Sequence, residues 1–281
     1  MAVRPGIAVA DAGGATMRLA WPNQLTVTFV AVSALVFLTL PIIIVVPMSF
    51  SSAGTLIFPP PGFSLRWYQS FFADPRWLQA ALNSVLIASA ASLIAMLLGT
   101  IAAYGLVRGT FPGKRLIEAN FIAPLVVPPV VKAVALYIAY AKLGLIGSFV
   151  GLILAHAILG VPYVVLLMSV AIRSFDQRIE QVAASLGATF PTILRRVLLP
   201  NLAPSAFAAW IMAFIVSFDE IIITFFVFGR RETIPKRMFT SLEQKVDPTI
   251  TAIATMLVVV SVVTLIAVAL LLRRGGVLRR R

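Results

Sequence analysis

An all-α, polytopic membrane protein with six spanning helices is the fold class this sequence predicts, and three observations carry the prediction. Of 281 residues, 60% are hydrophobic and 12% charged, against the roughly 45–50% apolar usage of soluble domains. Mean hydropathy is +1.01. Six stretches, 25–47, 81–107, 116–141, 149–172, 202–228 and 250–272, reach the roughly 20 mostly apolar residues that a bilayer crossing needs. Lys and Arg cluster in the short segments between them, where they set orientation.

Residues 1–24 are weakly polar and lack a charged-then-apolar signal pattern, and the apolar run that follows is too long for a signal peptide. They read as a cytoplasmic tail before a transmembrane domain over 25–272. After the first stretch, Met48 to Ala80 carries Phe63, Trp67, Tyr68, Phe71 and Phe72, aromatic residues suited to the membrane interface or to receiving an extracellular partner. Gly99 and Gly105 in the second stretch, and Gly147 with Gly151 at the start of the fourth, fit close helix packing. In the third, Pro124, Pro128 and Pro129 remove backbone donors and predict a kink or break. The sixth stretch leads into a basic tail, 273–281.

Fourteen basic residues fall on one side of this arrangement: Arg4, Arg18, Arg108, Lys114, Arg115, Arg173, Arg178, Arg195, Arg196 and the five arginines from Arg273 to Arg281. Eight fall on the other: Arg66, Arg76, Lys142, Arg230, Arg231, Lys236, Arg237 and Lys245. The excess places both termini in the cytoplasm.

Between the fourth and fifth stretches lies a polar insert, 173–200, which contains EQVAASLGATFPTILRRVLLP. Ile179, Val182, Ala183 and Leu186 fall at the spacing of one helix face, and Ser174 with Gln177 resembles a capping box. After Gly187 the period resumes through Phe190, Ile193, Leu194, Val197 and Leu198 until Pro200. The pattern predicts two short amphipathic helices joined at a glycine, each too short to stand alone in water. Their apolar faces are either covered by a docked partner or laid on the lipid surface, with Arg195 and Arg196 at headgroups.

Several chemistries are excluded. The chain has no cysteine, hence no disulfide, thiolate metal site or cysteine nucleophile. Its nearest approach to a phosphate-cradling loop, GTFPGKR from Gly109 to Arg115, has three residues between the glycines where four are needed, and ends in Arg where Ser or Thr is needed. The single histidine has no metal-ligand pattern around it. The formal charge of +13 reflects loop residues and does not indicate nucleic acid. The chain therefore reads as no enzyme by itself, with no cofactor of its own.

The insert resembles the EAA loop of ABC importer permeases, in which Glu-Ala-Ala is followed at fixed spacing by Gly and then Ile-x-Leu-Pro. Gln181 stands at the Glu position, Val182 and Ala183 at the two Ala positions, and Val197 at Ile. Gly187, Leu199 and Pro200 match outright. The adjacent Glu180 offers a carboxylate in place of the one missing at 181. FPPPGFSLRWYQSFF, APLVVPPVV, LAHAILGVPYVV and SFDEIIITFFVFG extend the resemblance to permeases of the spermidine/putrescine type. It implies the type I importer fold, with five core helices and a first helix that wraps around a neighbouring permease. It also implies a bacterial inner-membrane complex of two permeases, a pair of cytoplasmic ATPases that bind ATP and Mg, and an extracytoplasmic solute-binding protein. A small cationic solute, a polyamine, is the expected cargo, with another small solute such as an amino acid derivative as the alternative. A secondary transporter or channel is the rival class, but no convincing internal repeat supports it.

Candidate pathway residues are Asp219, Glu220, His156 and Tyr163. A charge inside a span costs at least about 2.5–3.5 kcal/mol on insertion scales, so Asp219 and Glu220 face protein or water. Either they line a cation pathway, or one pairs with Lys132, the lone basic residue of the third stretch. His156 is either a pathway group or a buried histidine bonded to a neighbouring helix. Tyr137, Tyr140 and Tyr163 are pathway or interface residues.

Overall fold

The computed structural model describes residues 24–244 and 247–274, and within that range the regular structure is helical, with one isolated bridge between Ser51 and Phe63 in the irregular segment 50–65. The expectations placed on the two tails and on Lys245 fall outside the residues whose side chains are described. Four helices are long and apolar enough to cross a membrane, and a fifth crossing results if a bent pair counts as one.

The first, α1 (Gln24–Ser49), is apolar on every face. Its hydrophobic side chains from Leu25 to Leu40 stay largely exposed, and it packs against α12 (Thr249–Arg274). The segment that follows is fastened to the rest of the fold. A short helix, α2 (Arg66–Ala73), seats Phe71 in a small core with Trp77, Ile234 and Ile253, Trp67 donates to the Ser51 carbonyl at 2.8 Å, and Tyr68 bonds Ser49 at 2.8 Å.

The longest element is α3 (Pro75–Arg108), 34 residues, and it begins earlier than apolarity alone suggested because Asp74 caps it and Pro75 opens it. It forms the centre of the molecule with α6 (Phe149–Ser174) and α9 (Leu199–Phe218). Small residues make this possible: a side chain at Gly99 would collide with Val164, and one at Gly160 would press on Ala95 and Ala213. Gly105 meets nothing, and Gly151 abuts its own preceding turn at Leu145, so those two are not helix-packing glycines.

The third apolar stretch is broken, as its prolines predict. Here α4 (Lys114–Val126) and α5 (Pro129–Leu143) meet at 107°. Pro128 has no N–H for the Pro124 carbonyl; the Lys132 ammonium takes that acceptor instead, at 3.0 Å. Lys132 is therefore not paired with Asp219 or Glu220.

The fifth stretch is also discontinuous. After α9 ends at Phe218, three residues intervene before α10 (Ile222–Val227), which packs on α5 and α6. A further amphipathic helix, α11 (Ile234–Gln244), leans on α3.

Charged contacts sort the loops into two opposite ends. At one, Arg108 meets Glu180 and Arg173 meets Glu118 at 2.7 Å. At the other, Arg237 bridges Asp74 and Glu232, Asn83 donates to the Glu232 carbonyl, and Arg231 donates to that of Gly147.

Candidate coupling segment and polar break

The insert folds as α7 (Gln177–Ser185), a turn at Gly187, α8 (Phe190–Ile193) and a π-turn at Leu194–Leu198. Asp176, not Ser174, is the cap of α7: its carboxylate accepts from the Arg178 N–H at 2.9 Å, while the Ser174 hydroxyl bonds back to Val170. At the far end, Ala188 N donates to Ala183 O and Gly187 N to Ala184 O, the Schellman pattern that closes a helix through a left-handed residue. Gly187 supplies it with φ +85. No neighbour lies within 4 Å of a side chain placed there, so the requirement is backbone conformation and not space.

The second short helix does not stop at Pro200. The chain runs on through the π-turn into α9, and Asn201 donates its amide to the Val197 carbonyl at 2.7 Å. Pro200 cannot donate to Arg196, and widening the turn keeps its ring off that carbonyl. Nor is the apolar side of α8 free for a partner: Ile193 and Leu198 are buried in the central core, with Leu194 and Val197 packed against it. The exposed apolar face lies mainly on α7, through Ile179, Val182 and Leu186, the last 83% exposed, and α8 adds Phe190 to it. Gln181, Leu199 and Pro200 lie at the surface, and Ala183 packs inward.

Glu180 does not offer its carboxylate outward in place of the missing one at 181. It is buried, its side chain 10% exposed, paired to Arg108 at 2.7 Å and bonded by the Tyr104 hydroxyl at 3.0 Å. Arg108 also donates to the Phe175 carbonyl at 2.9 Å. From the sequence Arg108 reads only as a loop charge that sets orientation, and Tyr104 has no assigned role. They stand four residues apart on one face of α3, a spacing visible in the sequence, but Glu180 lies 72 residues beyond Arg108 and nothing local signals that pairing.

At the α9–α10 break, the backbone is satisfied by nearby side chains, as membrane-embedded irregularity demands. Glu220 accepts the Ile223 N–H on its carboxylate and the Thr224 hydroxyl on its carbonyl, both at 2.9 Å. His156 is 1% exposed; its Nδ1 lies 2.9 Å from the Ser217 hydroxyl and its Nε2 3.2 Å from that of Thr224. It thus ties both sides of the break to α6 and is shielded from any open path. Asp219, by contrast, is exposed and lines a cleft of about 680 Å³ with Phe214, Phe218, Met238 and Phe239. Among the described residues no cation pairs with it. Tyr163 is half-buried on α6, Tyr140 is buried, and Tyr137 packs edge-on against Phe226.

Residues 95–275 match the family described as binding-protein-dependent transport system inner membrane component. The chain belongs to that family. Spermidine/putrescine transport system permease protein PotC of Haemophilus influenzae is 33% identical to it over 85% of this chain and 93% of the relative. Putrescine transport system permease protein PotI of Escherichia coli is 34% identical over 79% of this chain and 81% of the relative. Among solved structures, a bacterial ABC transporter involved in the import of the acidic polysaccharide alginate superposes with a TM-score of 0.71 at 16% identity, covering 88% of this permease and 94% of that chain. At that identity the match establishes the shared permease fold. The family match begins within α3, so the end of α3 from residue 95, the α7 segment, α6 and α9 lie inside it, while α1, α2 and the first part of α3 precede it.

Proposed function

We propose that this permease is one transmembrane subunit of an ABC importer that moves a polyamine inward, driven by separate ATPase subunits that bind ATP and Mg. The observation that carries the cationic solute is Asp219: an exposed carboxylate, without a protein cation among the described residues, at a break in a membrane helix. A ladder of aromatic rings on α9 leads to it, Phe207, Trp210, Phe214 and Phe218, with successive centroids 5.8, 6.1 and 5.8 Å apart. Ring faces attract ammonium groups, and intramembrane carboxylates typically mark cation routes. The names of the similar permeases, spermidine/putrescine and putrescine systems, agree with that chemistry.

In this reading the chain crosses the membrane six times, counting the bent pair as one crossing, and both termini are cytoplasmic. The exposed face of α7, with Gln181 beside it, meets the ATPase. The solute-binding protein docks at the opposite end, and a second permease covers α1. Closure of the ATPase pair moves the α7 segment and opens the central path to alternate sides.

Labelled spermidine uptake into cells tests the solute. Asp219→Asn keeps shape and removes charge, so uptake should fall at least about tenfold, the effect of roughly 1.4 kcal/mol, at unchanged membrane abundance. Unaltered uptake would remove Asp219 from the path.

A further inference from the structure

We propose that Arg108 is the positioning residue that latches the α7 segment to α3 and makes α3 the rod that carries its movement to the opposite end of the molecule. The inference rests on the reading that α7 meets the ATPase. Its basis is that a single face of α3 holds the segment at three points. Arg108 pairs with Glu180 and donates to the Phe175 carbonyl, gripping both α7 and the turn before it. Tyr104, one turn back, bonds the same carboxylate and packs its ring 5.6 Å from that of Phe190, beyond Gly187. Among the described residues, no other side-chain hydrogen bond ties 175–189 to the body of the protein. The Arg108 and Glu180 side chains are 12% and 10% exposed, so little water competes for the pair.

The rod itself is continuous. It has 34 residues without an internal proline, which at 1.5 Å per residue is about 50 Å. Its other end is fastened as firmly. Arg237 lies 4.5 Å over the Trp77 ring, Asn83 donates to the Glu232 carbonyl at 2.8 Å, and Ser84 accepts the Ile234 N–H at 2.8 Å. A displacement of α7 is therefore delivered through α3 to the Glu232–Arg237 segment. Of the two backbone routes, the one into α9 passes through the π-turn and the proline-bearing start of that helix, and the one into α6 crosses the extended Phe175–Asp176 link.

The test uses the whole complex in native membranes, with Arg108→Lys, Tyr104→Phe, Glu180→Gln and the swap Arg108→Glu/Glu180→Arg. Lysine keeps the charge but loses the planar fork that reaches Glu180 and Phe175 together. Spermidine imported per ATP hydrolysed should fall about tenfold in Arg108→Lys and Glu180→Gln, within the usual range of coupling between sites, less in Tyr104→Phe, and recover only in part in the swap, which restores the ion pair but leaves the Phe175 carbonyl without a donor. A second readout is independent of the solute. A cysteine introduced by Gln79→Cys at the far end of α3 should change its labelling rate on ATP addition, and Arg108→Lys should abolish that change while ATPase binding persists. An unchanged import ratio and an unchanged ATP response in the Arg108 and Glu180 variants would overturn the latch, leaving the pair a structural one. If no ATPase accompanies the unaltered chain, the importer reading fails instead.

Discussion

Gly187 is where a single residue decides the geometry of the coupling segment. Its φ of +85 closes α7 and starts the turn towards α8, and no neighbour obstructs a larger side chain. A substitution there therefore costs conformational strain alone, about 1–2 kcal/mol for an ordinary L-residue in the left-handed region and less for Asn. Uptake should fall in the order Gly187→Asn, Gly187→Ala, Gly187→Val, with Val worst because a β-branched residue is a true outlier at such φ. Membrane abundance measured alongside uptake checks this: equal uptake in all three at normal abundance would show that the turn has no part in coupling. Gly99 carries the opposite constraint, since a side chain there meets Val164 at 2.7 Å, and its role is packing of α3 on α6.

Among the elements, the broken pair α4–α5 explains a charge that had invited a different partner. The Lys132 ammonium completes the backbone at the break by taking the Pro124 carbonyl. Lys132→Met leaves that acceptor without a donor, a loss of about 1–3 kcal/mol, and lower membrane abundance is the expected outcome. Asp219→Asn should not restore it in the double variant. Restoration, seen on a quantitative membrane blot, would mean that the two side chains pair after all. The α9–α10 break follows the same logic by another device: Glu220, Ser217, Thr224 and His156 satisfy what the missing helical turn leaves open, which frees Asp219 to face the cleft.

Across the whole molecule, the two ends differ in how their charges are used. At the end bearing Asp74, the Arg76 side chain and backbone N–H bonds hold that carboxyl below its usual range against the opposing effect of burial, with help from the charge of Arg237. Arg237 is shared between Asp74 and Glu232, Arg231 donates to a backbone carbonyl, and Lys236 donates to the Gly229 and Arg231 carbonyls. Several of the eight basic residues counted on that side are thus bound within the fold. Ser185 sits on the exposed end of α7; in this cysteine-free chain, Ser185→Cys should resist an impermeant thiol reagent in intact cells and react once the membrane is opened. Labelling from outside would invert the topology.

What the sequence determined by itself is whatever depends on residues close along the chain. Apolar runs of bilayer length, the proline break near 128, the helix–glycine–helix form of the insert and its spacing of Gly187, Leu199 and Pro200 are all local, because backbone donors, helical period and φ preference act within a few residues. Only the tertiary structure decided which way the polar side chains turn. Glu180 faces Arg108 and Tyr104 instead of a partner, His156 clamps Ser217 and Thr224, and the apolar side of α8 is already covered by the core. Those partners stand 61 to 76 residues apart, and a buried polar group must be satisfied by whatever the packing of α3, α6 and α9 brings within reach. That choice has no signature in local spacing.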